Sequence, residues 1–349
     1  MPNVFQLSSC LTRLRVIALA ALVVGVGACS AGTLDPMADT ETPSDAPVGA
    51  ASDTLPAGSP ETASPDSPPA APPVAPQPPA PSAQPGIPFG LFMGDFYELG
   101  PTWTATLRGA SVGAVVKYLQ IARERGARVF IQFAGGRDKY LDSEGNFSLA
   151  KWRDRVAPYR SVDLSSYIAD GTLAAHYLID EPEDPTRWNG KPIAYSQLEE
   201  AAQFSKEVFP GLTTIVRVVP TWLKDAPFRW VHLDAAWAQY TASKGDVTLY
   251  RDTQIAAAKD QGLGLMFSLN VLGGGDGSSG RREPISGRFN MTASELAAYG
   301  KPLIEAPYAC GLLMWREDAG YLNVPGVRSA MEALSAQAKA RSSTSCDQG

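Results

Sequence analysis

Two histidines and four cysteines are all that these 349 residues offer a soft metal ion. They form no Cys-x-x-Cys pair and no His/Cys cluster, and no EF-hand loop occurs, so no metal is expected. Nucleotide motifs are missing as well. No Gly-x-Gly-x-x-Gly follows the first strand-like run, and no P-loop occurs anywhere, so no cofactor is expected. Positive charge is absent over a long stretch, with no Lys or Arg between Arg15 and Arg108. The net charge of −6 resides in the acidic segment Ala31–Pro88, which alone carries −7; everything after it has 28 basic and 29 acidic residues. A basic footprint for nucleic acid is therefore lacking, and nucleic acid is excluded as a partner.

What is present begins with an address. Arg13 and Arg15 precede the apolar run Val16–Val26, which has signal-peptide length and is too short to span a bilayer comfortably. The string Val26-Gly27-Ala28-Cys29 resembles a bacterial lipobox, which implies that residues 1–28 are removed and that Cys29 is acylated. Ordinary signal cleavage after Ala28 is the alternative. Ser30, by resemblance to lipoprotein sorting signals, points to the outer membrane or cell surface, with the lipid as the membrane contact. Residues 29–86 then form a Pro/Ala/Ser-rich acidic tether; sixteen prolines fall between Ala31 and Pro88. Such a composition cannot bury enough apolar surface to fold. Where polyproline-like it extends by about 3.1 Å per residue, a reach on the order of 100 Å or more.

From residue 87 the hydrophobic period alternates. Strand-like runs occur at Gly90–Gly94, Arg128–Phe133, Thr172–Ile179, Thr213–Val219, Trp230–Asp234, Leu263–Leu269 and Gly311–Trp315. Helical patterns at Ser111–Arg125, Ser148–Tyr159, Tyr195–Phe209, Asp246–Gln261, Thr292–Glu305 and Val327–Ala340 separate them. Seven strands alternating with helices predict an α/β fold over residues 87–341, a single (β/α)8 TIM-type barrel. The eighth strand lies between Gly136 and Gly171, or the barrel is irregular. Residues 342–349 read as a flexible tail. Cys310 and Cys346 leave two readings, a disulfide in an oxidising compartment or an inert buried Cys310.

Barrel active sites lie at the C-terminal ends of strands. Around that rim the sequence places Asp95 and Tyr97, Asp180 and Glu181, Arg217, Asp234 with Trp237 and Tyr240 behind it, Asn270, and Trp315 with Glu317 and Asp318. Sugars present apolar ring faces to aromatics and hydroxyls to carboxylates, so this lining suits carbohydrate. Arg217 is costly to bury alone and is expected to pair with a rim carboxylate. His176 and His232, flanked by apolar residues, read as buried hydrogen-bonding groups. Gly273–Gly280, with five glycines, reads as a flexible lid.

Asp180-Glu181-Pro182 after Tyr177-Leu178-Ile179 resembles the Asn-Glu-Pro signature of retaining (β/α)8 glycoside hydrolases. The resemblance implies Glu181 as general acid/base. Asp180 departs from the family's Asn, which contacts the sugar 2-hydroxyl. The family's nucleophile is a second glutamate on a late strand; Glu317 or Asp318 stands nearest to that description, and Asp234 is the rival. Asp95, Tyr97, Asp180, Arg217, Trp237, Tyr240, Asn270 and Trp315 are then substrate-binding candidates. A helix-start acid cluster is the structural alternative for Asp180-Glu181.

The expectation is a monomeric cell-envelope lipoprotein that hydrolyses the O-glycosyl bonds of a polysaccharide or glycan. The alternatives are a non-catalytic carbohydrate-binding barrel and a structural envelope lipoprotein. Cys29→Ala is expected to move the protein from the membrane to the soluble fraction on cell fractionation; a variant that stays with the membrane would contradict the lipid anchor.

Overall fold

The computed structural model describes residues 85–284 and 286–348. The signal peptide, Cys29 and nearly all of the tether lie outside these residues. The described chain forms a closed barrel of eight parallel strands that pair in sequence order. These are β1 (Phe89–Phe92), β2 (Ala105–Gly109), β3 (Arg128–Gln132), β4 (Leu173–Asp180), β5 (Thr214–Arg217), β6 (Ala235–Tyr240), β7 (Gly264–Asn270) and β8 (Ala309–Trp315). β8 returns to β1 with Phe89 opposite Leu312, so every strand has two partners and no sheet edge is exposed. The helices are α1 (Val115–Glu124), α2 (Leu149–Val156), α3 (Ser165–Ala169), α4 (Tyr195–Val208), α5 (Pro220–Leu223), α6 (Val247–Gln261), α7 (Ala293–Glu305), α8 (Ala319–Leu322) and α9 (Val327–Ala340). Among the described residues, no helix is long and apolar enough to cross a membrane.

Two strands differ from expectation. The one not visible in the sequence is β2, not a segment between Gly136 and Gly171, which holds α2, α3 and short 3-10 turns. Its five residues alternate, with Ala105 and Leu107 inside the barrel and the Thr106 hydroxyl on the Leu91 and Gly94 carbonyls. In Ala-Thr-Leu-Arg-Gly only Leu107 is a large apolar residue, so no apolar run stands out. β6 starts at Ala235, just after the run Trp230–Asp234 read as a strand. That run is richer in β-formers, whereas Ala-Ala-Trp-Ala-Gln-Tyr owes its extended form to β5 and β7 on either side.

Alternation along the strands divides the apolar residues into two cores. Phe92, Phe130, Tyr177, Ile215, Trp237, Met266 and Leu313 fill the barrel interior. A larger cluster lies between strands and helices, where α4 buries Leu198, Ala201, Ala202 and Val208. His176 belongs to that layer: its Nδ1 is 2.7 Å from the Ser205 hydroxyl, and burial pushes its pKa down to about 3. Helix ends are closed locally. Thr292 and Glu295 form a reciprocal capping box on α7, and Gly262 ends α6 in the left-handed region, where only glycine is unstrained.

The segment expected to be a flexible tail is pinned to the barrel. Cys346 forms a disulfide with Cys310, and it packs against the barrel's interior core. Gly264 at the start of β7 lies so close to the Cys346 carbonyl that a Cβ there would collide with it. The C-terminal segment thus covers the end of the barrel where the strands begin. Cys346→Ser is expected to lower the unfolding free energy by about 2–4 kcal/mol for a link spanning 36 residues. Urea unfolding under non-reducing conditions measures it, and the difference from the parent should vanish in reductant.

Candidate functional site: the acidic mouth of the barrel

The mouth is organised at the end of β4. Tyr177 points into the barrel, so strict alternation would turn Asp180 outward. Register prevents this: Tyr177 faces Ile215 and Asp180 faces Arg217, three steps on β4 against two on β5. This bulge sends both Leu178 and Ile179 to the outer core and returns Asp180 to the interior face, a re-aiming that bulges commonly achieve.

Asp180 and Arg217 are both buried, and the Arg217 Nε bonds Asp180 Oδ1. The Tyr177 hydroxyl donates to the same oxygen at 2.6 Å. Arg187 closes the other side, with one nitrogen 2.9 Å from Asp180 Oδ2 and another 2.9 Å from Glu181 Oε2. Glu181 Oε1 lies 2.7 Å from Arg217. Two guanidiniums therefore clamp two adjacent carboxylates. Burial opposes ionisation of Asp180, yet Arg217 and then Arg187 outweigh it and hold its pKa below the ordinary carboxylate range. Tyr177 is pushed well above its ordinary pKa by burial and by the Asp180 charge. Glu181 sits at φ +47°, a left-handed conformation unusual for a side-chain-bearing residue, and its carbonyl accepts from the Trp188 indole at 2.8 Å. The Arg217 guanidinium also lies 4.6 Å from the centre of the Trp315 ring, which stacks on Phe92 at 4.3 Å. Asp180, Glu181, Arg217 and Trp315 thus come together in one cluster.

The remaining sequence candidates divide. Asn270 ends β7 at the rim and accepts from the Gly273 N–H at 2.9 Å. Glu317 follows β8 and accepts from the Asp95 N–H at 3.1 Å; burial and the Glu98 charge push its pKa up. Asp95 itself caps the turn Phe96–Glu98 by accepting from Tyr97 N–H, and Tyr97 is exposed. Asp318 caps α8, accepting from Tyr321 N–H at 2.7 Å.

Four expectations require correction. Asp234 precedes β6 instead of ending a strand, so it lies at the opposite end of the barrel. There it pairs with Lys206 and accepts from the Thr214 N–H at 2.7 Å, a structural role. Trp237 is fully buried in the barrel interior and offers no platform to a sugar. Tyr240 packs between Tyr250 and Tyr299 in the outer layer, away from the mouth. The glycine-rich segment, read as a lid, is packed down: Gly275 N–H donates to Phe289 and a Cβ there would strike the Asn290 carbonyl.

Sequence reading missed Arg187 and Glu183. Both belong to the loop after β4, and the acid-dense run Asp-Glu-Pro-Glu-Asp-Pro was the signal that could have pointed to them. Glu183 Oε2 is buried without a partner, and burial pushes its pKa up to about 7. Gln132 and Gln239 were missed too: each sits near the C-terminal end of its strand and keeps one buried amide atom unpartnered. Farther out, a cavity of about 290 Å³ borders Trp188 and Asn189. Another, of about 410 Å³, lies among Arg281, Asn290, Met291 and Tyr321. Among the described residues no cluster of His, Cys, Asp and Glu is arranged to hold a metal ion.

The architecture is that of a (β/α)8 barrel with a charged mouth. No protein-family model matches the sequence, and no curated protein matches it. Solved structures with a similar fold include a GH5_18 protein from Bifidobacterium longum subsp. infantis (10% identity over 74% of this chain and 80% of that one, TM-score 0.45). A cellulase in complex with an inhibitor is also similar, at 10% identity over 72% of this chain and 92% of that one, TM-score 0.48. So is Xylanase10C from Cellvibrio japonicus in complex with xylopentaose, at 12% identity over 77% and 69%, TM-score 0.43. At these identities the likeness is one of fold.

Arg217→Met leaves Asp180 buried beside a single cation and is expected to cost about 3–5 kcal/mol in denaturant unfolding. The double variant Asp180→Leu with Arg217→Met should recover much of that loss, because no uncompensated charge then remains buried.

Proposed function

We propose that this chain hydrolyses the glycosidic bonds of a polysaccharide or glycan at the C-terminal mouth of its barrel. One observation carries the reading. At the end of β4, carboxyl groups in opposite electrostatic environments share one loop: Asp180 is held down by guanidiniums, while Glu183 is pushed up to about 7 by burial. A site that keeps one carboxyl ionised and another protonated near neutral pH has what acid-assisted cleavage of an acetal requires. The partly exposed Trp315 beside Arg217 adds an aromatic group to the mouth. The two outer cavities lie along loops that leave the same end of the barrel, which suits a ligand longer than one sugar unit. The lipobox-like string and the proline-rich acidic segment of the sequence support a cell-envelope location with a lipid anchor at Cys29, and the reading takes the protein to act as a monomer.

A second reading, a barrel that binds carbohydrate without cleaving it, draws on two specific observations. Both oxygens of Glu181 are occupied by guanidiniums. Of the two last strands, β7 ends in Asn270, not in a carboxylate. Assays of hydrolysis and of binding on one panel of aryl glycosides and polysaccharides separate the two. Glu181→Gln is expected to reduce hydrolysis at least tenfold. Binding by the parent with no turnover on any member of the panel would replace the hydrolase reading by the binding one.

A further inference from the structure

The cavity of about 410 Å³ opens between the loop that follows β7 and the segment between β8 and α9. Backbone hydrogen bonds tie it to the mouth. Met291 in its wall donates its N–H to the Val271 carbonyl at 2.8 Å, and the Val271 N–H donates to the Trp315 carbonyl at 3.1 Å. Met291, Val324 and Pro325 make one side of the wall apolar. Asn290 and Tyr321, 8% and 2% exposed, make the other side polar, and each keeps a buried atom without a partner. Burial and then the Glu295 charge push the Tyr321 pKa up, so its hydroxyl stays neutral.

Charge is what makes this cavity selective. Among the described residues that line it, Arg281 alone is charged. Arg281 is exposed, and its guanidinium meets no carboxylate, carbonyl or aromatic ring among the described residues. Arg282 beside it differs, being spent on the Gly287 carbonyl and the Phe289 ring. Between residues 281 and 290, Arg281, Arg282 and Arg288 stand against Glu283 alone, so the loop favours anions. Glu295, the buried acid at the start of α7, is not paired with Arg281: its oxygens take the Asp276 and Thr292 N–H groups, at 2.7 Å each.

A half-apolar cavity with one unpaired guanidinium is complementary to a ligand that has an apolar ring face and one carboxylate. We propose that this cavity binds a uronate unit of an acidic glycan, with the Arg281 guanidinium on its carboxylate and the ring face against Met291 and Pro325. The site lies outside the Asp180–Arg217 cluster and holds acidic polysaccharide beside the mouth. The inference rests on the carbohydrate reading above and names its substrate class. It involves no step of cleavage, so binding here and turnover at the mouth are measured separately.

The test is titration calorimetry on the full chain, with oligogalacturonate and oligoglucuronate against the neutral oligosaccharides of the same linkage. One acidic ligand should bind about tenfold or more tighter than its neutral counterpart, and the preference should shrink in high salt. Arg281→Ala, at an exposed position, should leave the melting temperature unchanged and remove that preference. Arg281→Lys should keep part of it, since it keeps the charge but not the planar fork. Ser294→Trp at the cavity wall should block the acidic ligand as completely. Arg288→Ala reports on the loop's charge alone and should cost less than about threefold. Equal affinity for acidic and neutral ligands overturns the proposal, and so do equal losses for Arg281→Ala and Arg288→Ala. Hydrolysis is followed in parallel on the same ligands. Acid-selective binding through Arg281 with no turnover keeps the site and removes the hydrolase reading. Turnover of a neutral polysaccharide with no acid preference keeps the hydrolase reading and removes the site.

Discussion

The ion pair between Asp180 and Arg217 is the constraint on which the mouth of this barrel depends. Two opposite charges inside a closed barrel have little water to solvate them, so each requires the other. The pair forms only because a bulge in β4 turns Asp180 back toward the interior. Once it is in place, the other groups follow from leftover valence. Arg217 still has a nitrogen for Glu181 and a cationic face for Trp315; Asp180 still has an oxygen for Arg187 and a lone pair for Tyr177. Arg187 then ties its own loop back onto the strand that precedes it. The left-handed turn at Glu181 is held in place by this network and by Trp188.

The two ends of the barrel divide their work. The end where strands begin is closed by the Cys310–Cys346 link, the tail against Gly264 and the Lys206–Asp234 pair. The end where strands finish carries unmatched buried groups, among them Gln132, Gln239 and Glu183.

Much of the fold was legible in the sequence because burial on both faces writes parallel strands as apolar runs and the covering helices as 3.6-residue periods. β1, β3, β4, β5, β7 and β8 announce themselves in this way. β2 and β6 do not: one has a single large apolar residue, and the other is rich in alanine and becomes a strand only between two neighbours. That displacement by a few residues moved Asp234 from one end of the barrel to the other, which is why a residue that looked catalytic is structural. Arg217 was legible for a different reason, since a buried guanidinium requires a carboxylate wherever the chain folds.

The local code, by itself, determined the alternation of strand and helix, the closed barrel that follows from it, and the acid-rich turn after Tyr177-Leu178-Ile179. It also determined that charge and proline gather before the folded part begins. Which carboxyl is ionised and which neutral was decided by tertiary structure alone. Asp180, Glu181 and Glu183 are neighbours with the same functional group, and no spacing rule tells them apart. The protonation of Asp180 and Glu183 depends on how far each is removed from water and on the guanidiniums near it, and those distances exist only after β4 and β5 have come into register.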